Sequence, residues 1–371
     1  MKRSMILNNL IAAAEQFKPS GKITDIREFG NGNINKTFLV TLDAKTENHF
    51  ILQRINTQVF SRPELIMSNM RIFTEHARKR LQGVTSAKGR QWEVPRVLLA
   101  QDSKDHWRDS EKSFWRAISF IESSQSFDTI NNIEHAKEAG YALGMFHNLI
   151  SDMPPDKLAD TLEGFHITPR YLRHYNDVLS GNNARKSPEI NYCMKFIRER
   201  STWAHVLEDA KAQGKLFLRP IHGDPKVNNI MMDTATGQAI SIIDLDTVKP
   251  GLVHYDIGDC LRSGCNPIGE ETEQTESVKF EIDFCKAILQ GYLSQAKGFL
   301  NNNDYDYMYD SMRLIAFELG LRFFTDFLKG NVYFKTTHAE HNLVRALVQF
   351  RLTESIESQA AAIRSIIRDM R

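Results

Sequence analysis

The sequence predicts an α+β fold of two lobes: a strand-rich N-terminal lobe over residues 1–120 and a helical C-terminal lobe over 121–371. Three observations predict the architecture. The first third alternates β-favouring runs with polar turns, the apolar residues beyond Ile121 recur at three-to-four spacing, and one short β-like region interrupts the helical part. A chain of 371 residues is long enough for two such units and buries a sizeable core without disulfides or structural metal.

In chain order, Thr24–Phe29 reads as a strand leading into Gly30-Asn31-Gly32-Asn33, and Ile34–Leu42 resumes the β pattern. Phe50–Ile55 follows the polar turn at Lys45–Asn48. Pro63, just after Ser61, opens a helix that continues over Glu64–Leu81. Glu93–Leu99 and Phe114–Ile121 read as further strands, separated by a polar turn. The boundary between lobes falls near Ser119–Ser124, and Phe120–Ser123 is the expected hinge. Residues 134–150 place Ala136, Ala139, Leu143, Phe146 and Ile150 on one helical face; Met308–Leu328 and the last thirty residues repeat the pattern. Residues 151–165, with Pro154-Pro155, read as a loop. Ile230–Met232 and Ala239–Ile243 form a hairpin about the turn Asp233–Gly237.

Composition narrows the function. Hydrophobic residues at 42% exclude disorder, and a net charge of +1 lacks the positive field of a general nucleic-acid binder. No run reaches the ~18 apolar residues of a membrane helix. Asn8, Asn9 and Glu15 interrupt the N-terminal segment, so a secretory signal is not expected and the cytoplasm is. Cys193, Cys260, Cys265 and Cys285 show no C-x-x-C or zinc spacing and read as free thiols in a reducing compartment. No feature specifies an oligomer.

The chemistry concentrates in Pro220–Asp259, PIHGDPKVNNIMMDTATGQAISIIDLDTVKPGLVHYDIGD. Asn229 follows Asp224 by five residues, and Asp244 ends an apolar strand. The hairpin between Asn229 and Asp244 makes their side chains neighbours. Magnesium takes hard oxygen ligands, commonly one or two carboxylates completed by phosphate and water. Asn229 and Asp244 supply one neutral and one charged ligand, leaving Asp224 to orient a hydroxyl and accept its proton. Phosphoryl transfer needs little more, because positioning and charge neutralisation provide most of the rate. Read as structure alone, Asp224 and Asn229 cap turns and Asp244 merely ends a strand.

HGDPKVNN followed by IDLD resembles the catalytic region of the aminoglycoside phosphotransferase-like kinases, whose fold is the two-lobed one of protein kinases. GNGNINKTFLV, FILQRIN, IDLDTVKPG, YDIGD and ELGLRFFTDFLKGNVYF extend the likeness toward the N-acetylhexosamine 1-kinases, from about residue 26 to the C-terminal helix. The resemblance implies ATP and Mg as cofactors, Asp224 as catalytic base, and Asn229 and Asp244 as magnesium ligands. Gly30, Asn31, Gly32 and Asn33 belong to the implied phosphate loop, Gly30–Asn35, although its third glycine is missing. No Walker-type G-x-x-x-x-G-K-[ST] occurs.

One departure stands out. The third strand of this fold normally carries a phosphate-contacting lysine; here Gln53 holds the aligned place with Arg54 beside it, and only one of the two can point into the cleft. The hinge adds Phe120 and Glu122 to the expected nucleotide contacts. Only eleven residues separate Asp244 from Asp256, and no A-P-E element follows, which leaves no room for a peptide-binding activation segment. The expected acceptor is a small molecule, and the resemblance points to the anomeric hydroxyl of an N-acetylhexosamine or related sugar.

Within ELGLRFFTDFLKGNVYF, Arg322 and Tyr333 match sugar-contacting positions, and a guanidinium fork and a phenol suit a sugar's oxygens. The plainer readings are an Arg322–Asp326 ion pair at i+4 and a Tyr333 packed on the preceding helix. His222, Asp246, Asp256 and Asp259 are expected to support the loop: His222 through hydrogen bonds, Asp246 beside Asp244 if the strand continues or at a second metal, and Asp256 and Asp259 through backbone amides. His147 reads as a core histidine. Two alternatives stay open: a kinase of another small alcohol or amine (aminoglycoside-, choline- or homoserine-like), and a nucleotide-binding regulator without catalysis.

Overall fold

The structure is a computed structural model and describes residues 2–17, 21–30, 34–44, 47–83, 90–181 and 187–371, with side chains in the first helix from Asn9 onward. The chain opens with helix α1 (Lys2–Phe17). Strands β1 (Lys22–Glu28), β2 (Lys36–Asp43) and β3 (His49–Ile55) follow, then helix α2 (Pro63–Gly83). Short β4 (Val97–Leu98) and β5 (Trp107–Arg108) precede β6 (Phe114–Ser119). The sheet runs β1-β2-β3-β6-β4, with β5 also paired to β6 and every pair antiparallel. Of the expected strand at Glu93–Leu99 only Val97–Leu98 forms, because Glu93 donates its backbone N–H to Ile240 in the other lobe (2.7 Å) instead of to the sheet.

Strand alternation gives the sheet two functions. Phe38, Val40, Leu42, Phe50, Leu52, Trp115 and Ala117 face α1, where Leu10, Ala13, Ala14 and Phe17 close an apolar core. The opposite face carries Gln53 and Arg116, directly paired across β3 and β6. That face looks toward α2 and the cleft.

Two-residue β7 (Ser124–Gln125) joins a second sheet, pairing with the first strand of a hairpin that lies further along the chain. Helices α3 (Ile133–Ile150), α4 (Thr168–Ser180), α5 (Pro188–Arg200) and α6 (Val206–Ala212) lead to β8 (Arg219–Ile221). The expected hairpin forms as β9 (Ile230–Asp233) and β10 (Ala239–Ile242). Strand β11 (Lys249–Gly251) pairs with β8, and α7 (Val253–Gly264), α8 (Ile282–Ala296), α9 (Asn302–Asp306), α10 (Met308–Leu328), α11 (His341–Ser358) and α12 (Ala360–Met370) complete the lobe. Asn132 caps α3 by accepting from His135 N–H at 2.9 Å. Helices α3 and α8 touch backbone to backbone: a Cβ on Gly140 would lie 1.9 Å from Ile288 O, and one on Gly291 the same distance from Lys137 O.

The C-terminal amphipathic run is two helices rather than one. The break is at Gln359, whose amide turns away to donate to Phe280 O (2.8 Å). One large apolar core unites the helices of this lobe. Among the described residues no helix is long and apolar enough to cross a membrane.

Candidate active site

Pairing of Ile221 with Lys249 fixes the point at which His222-Gly223-Asp224 leaves β8. Asp256, fully buried on α7, accepts from His222 N–H (2.7 Å), Gly223 N–H (2.8 Å) and His147 Nε2 (2.8 Å). Burial alone raises a carboxyl pKa, but His147, through its hydrogen bond and charge, and the backbone N–H of His222 hold Asp256 below the usual range. His147 is a buried core histidine whose Nδ1 meets Tyr292 Oη at 3.1 Å. Gly223 has φ +88°, and a Cβ there would lie 2.7 Å from Thr247 O, so the tripeptide requires glycine.

His222 commits both ring nitrogens to the loop: Nε2 donates to Ile243 O (2.9 Å) and Nδ1 accepts from Asp224 N–H (3.3 Å). This arrangement is the neutral Nε2–H tautomer, in keeping with a pKa lowered chiefly by burial. Asp259, three residues beyond Asp256, does not reach the loop amides. The buried Arg262 captures its Oδ1 at 2.8 Å, while Oδ2 has no hydrogen-bond partner among the described residues. The charged groups round the loop are completed by His166, unremarked in the sequence. It adopts φ +64°, donates from Nε2 to Gly223 O (2.7 Å) and pairs through Nδ1 with Glu318 of α10 (3.0 Å).

The hairpin brings Asn229 and Asp244 together. Ile242 faces Ile230 across the strands, and Ile243 N–H donates to Asn229 O at 2.8 Å. Asn229 Nδ2 donates to Asp224 O (2.7 Å), which leaves Oδ1 as the atom suited to a cation. Asp244 takes the left-handed conformation (φ 63°, ψ 57°), sparsely populated by non-glycine residues and concentrated at functional sites. It keeps an accessible edge, yet the protein packed round its carboxyl pushes its pKa up to about 7, desolvation first and then repulsion from Asp246 and Asp224. Asp224 stays below the usual range because Lys226 (2.9 Å) and Arg262 outweigh its desolvation.

These donors fit a divalent cation, which would relieve the repulsion that Asp246 and Asp224 exert on Asp244. Among the described residues no three His, Cys, Asp or Glu side chains converge into a self-sufficient metal cage. Two protein ligands instead suit a cation shared with phosphate oxygens.

The strand does not continue to Asp246, which therefore does not stand beside Asp244 on one strand face. Asp246 lies in a 3-10 turn at Leu245–Thr247, is 3% exposed, and joins the N-terminal sheet to the catalytic segment. Arg116 forms an ion pair with it, and Asn35 Nδ2 donates to it at 2.6 Å. Gln53 Oε1 accepts from Arg116 Nε (2.9 Å) and Nη2 (2.7 Å), while Arg54 stands on the other face of β3, exposed beside the α1 core. The alternation therefore turns Gln53, not Arg54, toward the cleft.

Gly30 has φ +74°, and among the described residues no atom lies within 4 Å of a Cβ placed on it, whereas Asn31, Gly32 and Asn33 lie outside the described residues. Phe120 packs its ring against Phe29 (5.8 Å) and His49 (5.6 Å), and the exposed Glu122 meets His49 Nδ1 at 2.8 Å. Beside this hinge Ile121, Met231 and Ile240 form a small separate apolar cluster.

Arg322 does not pair with Asp326. Its guanidinium sits among Phe165, Tyr171 and Phe334 at 5.1, 5.1 and 5.5 Å from the ring centroids. Its pKa is raised: desolvation lowers it, but Tyr171, Glu318, Tyr333 and Asp224 outweigh that loss. A folded-back loop takes the place of the i+4 pair, because Asp326 accepts backbone N–H groups of Val332 (3.0 Å), Tyr333 (2.9 Å) and Phe334 (3.0 Å), with Asn342 Nδ2 at 2.9 Å. Tyr333 is 48% exposed and stacks edge-on against Phe334 rather than packing into the helix.

A sequence model described as the phosphotransferase enzyme family matches residues 25–292. Among solved structures the chain is similar to a microcompartment-associated aminopropanol kinase, with TM-score 0.64 and 15% identity over 96% of this chain and 98% of that one. An aminoglycoside phosphotransferase from Alicyclobacillus acidocaldarius gives TM-score 0.61 and 14% identity over 96% of both chains. A choline kinase from Cryptosporidium parvum gives 0.54 and 13% over 98% and 96%. The fold of the chain is thus the two-lobed, protein-kinase-like one.

Proposed function

Since the chain belongs to the phosphotransferase enzyme family, we propose that it is an ATP- and magnesium-dependent kinase of a small alcohol, with the anomeric hydroxyl of an N-acetylhexosamine or related sugar as acceptor. The observation that carries the acceptor class is Arg322. A guanidinium caged by three aromatic rings, within the electrostatic reach of Asp224, disfavours an ammonium group and suits an oxygen-rich neutral molecule. Tyr333, exposed beside it, adds a phenol.

In this mechanism Asp224, ionised at neutral pH, orients the acceptor hydroxyl and takes its proton as the oxygen attacks the γ-phosphorus and the bond to the ADP oxygen breaks. Lys226 compensates the base's charge. Asp256 and His222 hold the loop so that the base does not have to be repositioned during the reaction. Asn229 and Asp244 would hold magnesium, which supplies neutralisation of phosphate charge. Phe120 and Glu122 at the hinge, with Ile121, Met231 and Ile240 beneath, accommodate the adenine. A second reading, a kinase of an amino alcohol or aminoglycoside, draws support from the names of the structural neighbours.

The test is ADP release with magnesium-ATP against free sugars, their 1-O-methyl glycosides, amino alcohols and aminoglycosides. Release with N-acetylglucosamine or N-acetylgalactosamine but not with the methyl glycosides is expected. Release with amines alone moves the acceptor to the second reading. Asp224→Asn should abolish transfer and retain ATP binding; undiminished turnover would remove Asp224 from its role.

A further inference from the structure

Within the cleft one cation is left incompletely used. Arg116 is 1% exposed, yet its Nη1 has no hydrogen-bond partner among the described residues. The rest of the guanidinium is accounted for: Nε and Nη2 donate to Gln53, and Nη2 also faces Asp246. A guanidinium has five N–H groups, so two donors at one end of a buried cation stand idle. Leaving such donors unpaired is costly, the more so for a charged group, and calls for a physical reason.

The surroundings say what would satisfy them. Arg116 lies on the cleft face of β6, and its charge acts directly on Asp244. Asn35, just beyond the glycine-containing loop, shares Asp246 with it. The residue is held rigidly: Gln53 spans from Thr37 Oγ1 (3.0 Å) on β2 to the guanidinium, so three adjacent strands fix its orientation. A fixed, forked, partly unpaired cation is built to take an anion with several oxygens.

We propose that Arg116 is the residue that binds the polyphosphate of the nucleotide, with Gln53 as its holder, so that the charge absent from β3 is supplied from the neighbouring strand β6. The assignment rests on the kinase reading above but not on the identity of the acceptor. It also gives Asp246 a part: it holds Arg116 against the catalytic segment until phosphate oxygens occupy the idle donors.

The experiment is nucleotide binding without any acceptor, using calorimetry with ATP, ADP, AMP and adenosine and the full chain. For Arg116→Gln the expected result is a 10- to 100-fold weaker binding of ATP and ADP with adenosine binding unchanged. Arg116→Gln with Gln53→Lys restores a cation at the same cross-strand place and should recover at least tenfold of the lost ATP affinity. The double variant also keeps the buried charge if the single variant fails to fold. Equal loss for adenosine and ATP would show a purely structural role and overturn the proposal, as would unchanged ATP affinity in the single variant. Failure of the wild-type chain to bind any of the four ligands would overturn the kinase reading itself, whereas the other outcomes leave that reading intact.

Discussion

Replacing Asp326 by asparagine tests the acceptor wall without touching the reacting groups. The carboxylate gathers three consecutive backbone N–H groups and the Asn342 amide, and so folds residues 331–334 back over α10 beside Arg322. Asparagine keeps the shape and one acceptor oxygen, enough for Val332 and Tyr333. Its amide nitrogen then meets the Phe334 N–H and Asn342 Nδ2, donor against donor. Asn342 keeps a second acceptor in Asn331 Oδ1 (3.0 Å), so the main loss falls on Phe334. One unpaired, half-buried donor costs about 1 kcal/mol, and the weakening of the other bonds from charged to neutral adds roughly 1 kcal/mol. A total of about 2 kcal/mol corresponds to a fall in Tm on the order of 5 °C for a lobe of this size. Because the loop carries Tyr333 and Phe334, KM for the acceptor should rise several-fold while nucleotide affinity stays fixed. Thermal unfolding and steady-state ADP release read the two effects. An unchanged Tm would refute the hydrogen-bond reasoning, and a lower Tm with unchanged acceptor KM would remove the loop from the substrate wall.

The His166–Glu318 pair predicts a pH signature. Burial lowers the histidine pKa, but Glu318 and the Gly223 carbonyl outweigh it and raise the net value; its contribution is complete below about 6.5 and fades as pH climbs through the raised value. Glu318, whose desolvation is outweighed chiefly by His166, has a lowered pKa, so its contribution is present above about 4.5 and fades as pH falls through the lowered value. The stability difference between wild type and His166→Gln should therefore be largest between these limits and shrink toward alkaline pH; a difference that grows with pH would contradict the pairing. Asp256→Asn should destabilise by about 3 kcal/mol or more, since a buried acceptor of three donors loses its charge, and should lower kcat with it. Urea unfolding at constant m-value measures the first effect, and full stability would show that the loop is held some other way.

What could be read from the sequence was set by how local the physics is. Asn229 and Asp244 are legible as neighbours because one short hairpin joins them, and the ladder from Ile230 to Ile242 does bring their backbones together. Asp326 misleads because the i+4 rule describes an isolated helix surface; here the chain beyond Gly330 returns and offers three N–H groups, which satisfy the carboxylate better than one flexible guanidinium would. Arg322 is thereby released to its aromatic cage. Arg116 carries no local signal at all. Its holder is 63 residues away, and the pairing depends on the register of β3 against β6, which a shift of one residue would turn to the opposite face. His166 is equally silent: its left-handed backbone falls on a histidine, two residues past the left-handed Gly164. A motif names a residue type at a sequence position, whereas the cleft constrains only where a charge stands. Two adjacent strands can place a cation at the same point, provided that the second supplies a longer side chain and the first a neutral one to hold it. Gln53 and Arg116 have that relation, which is why the glutamine is better understood as half of an exchange than as a loss.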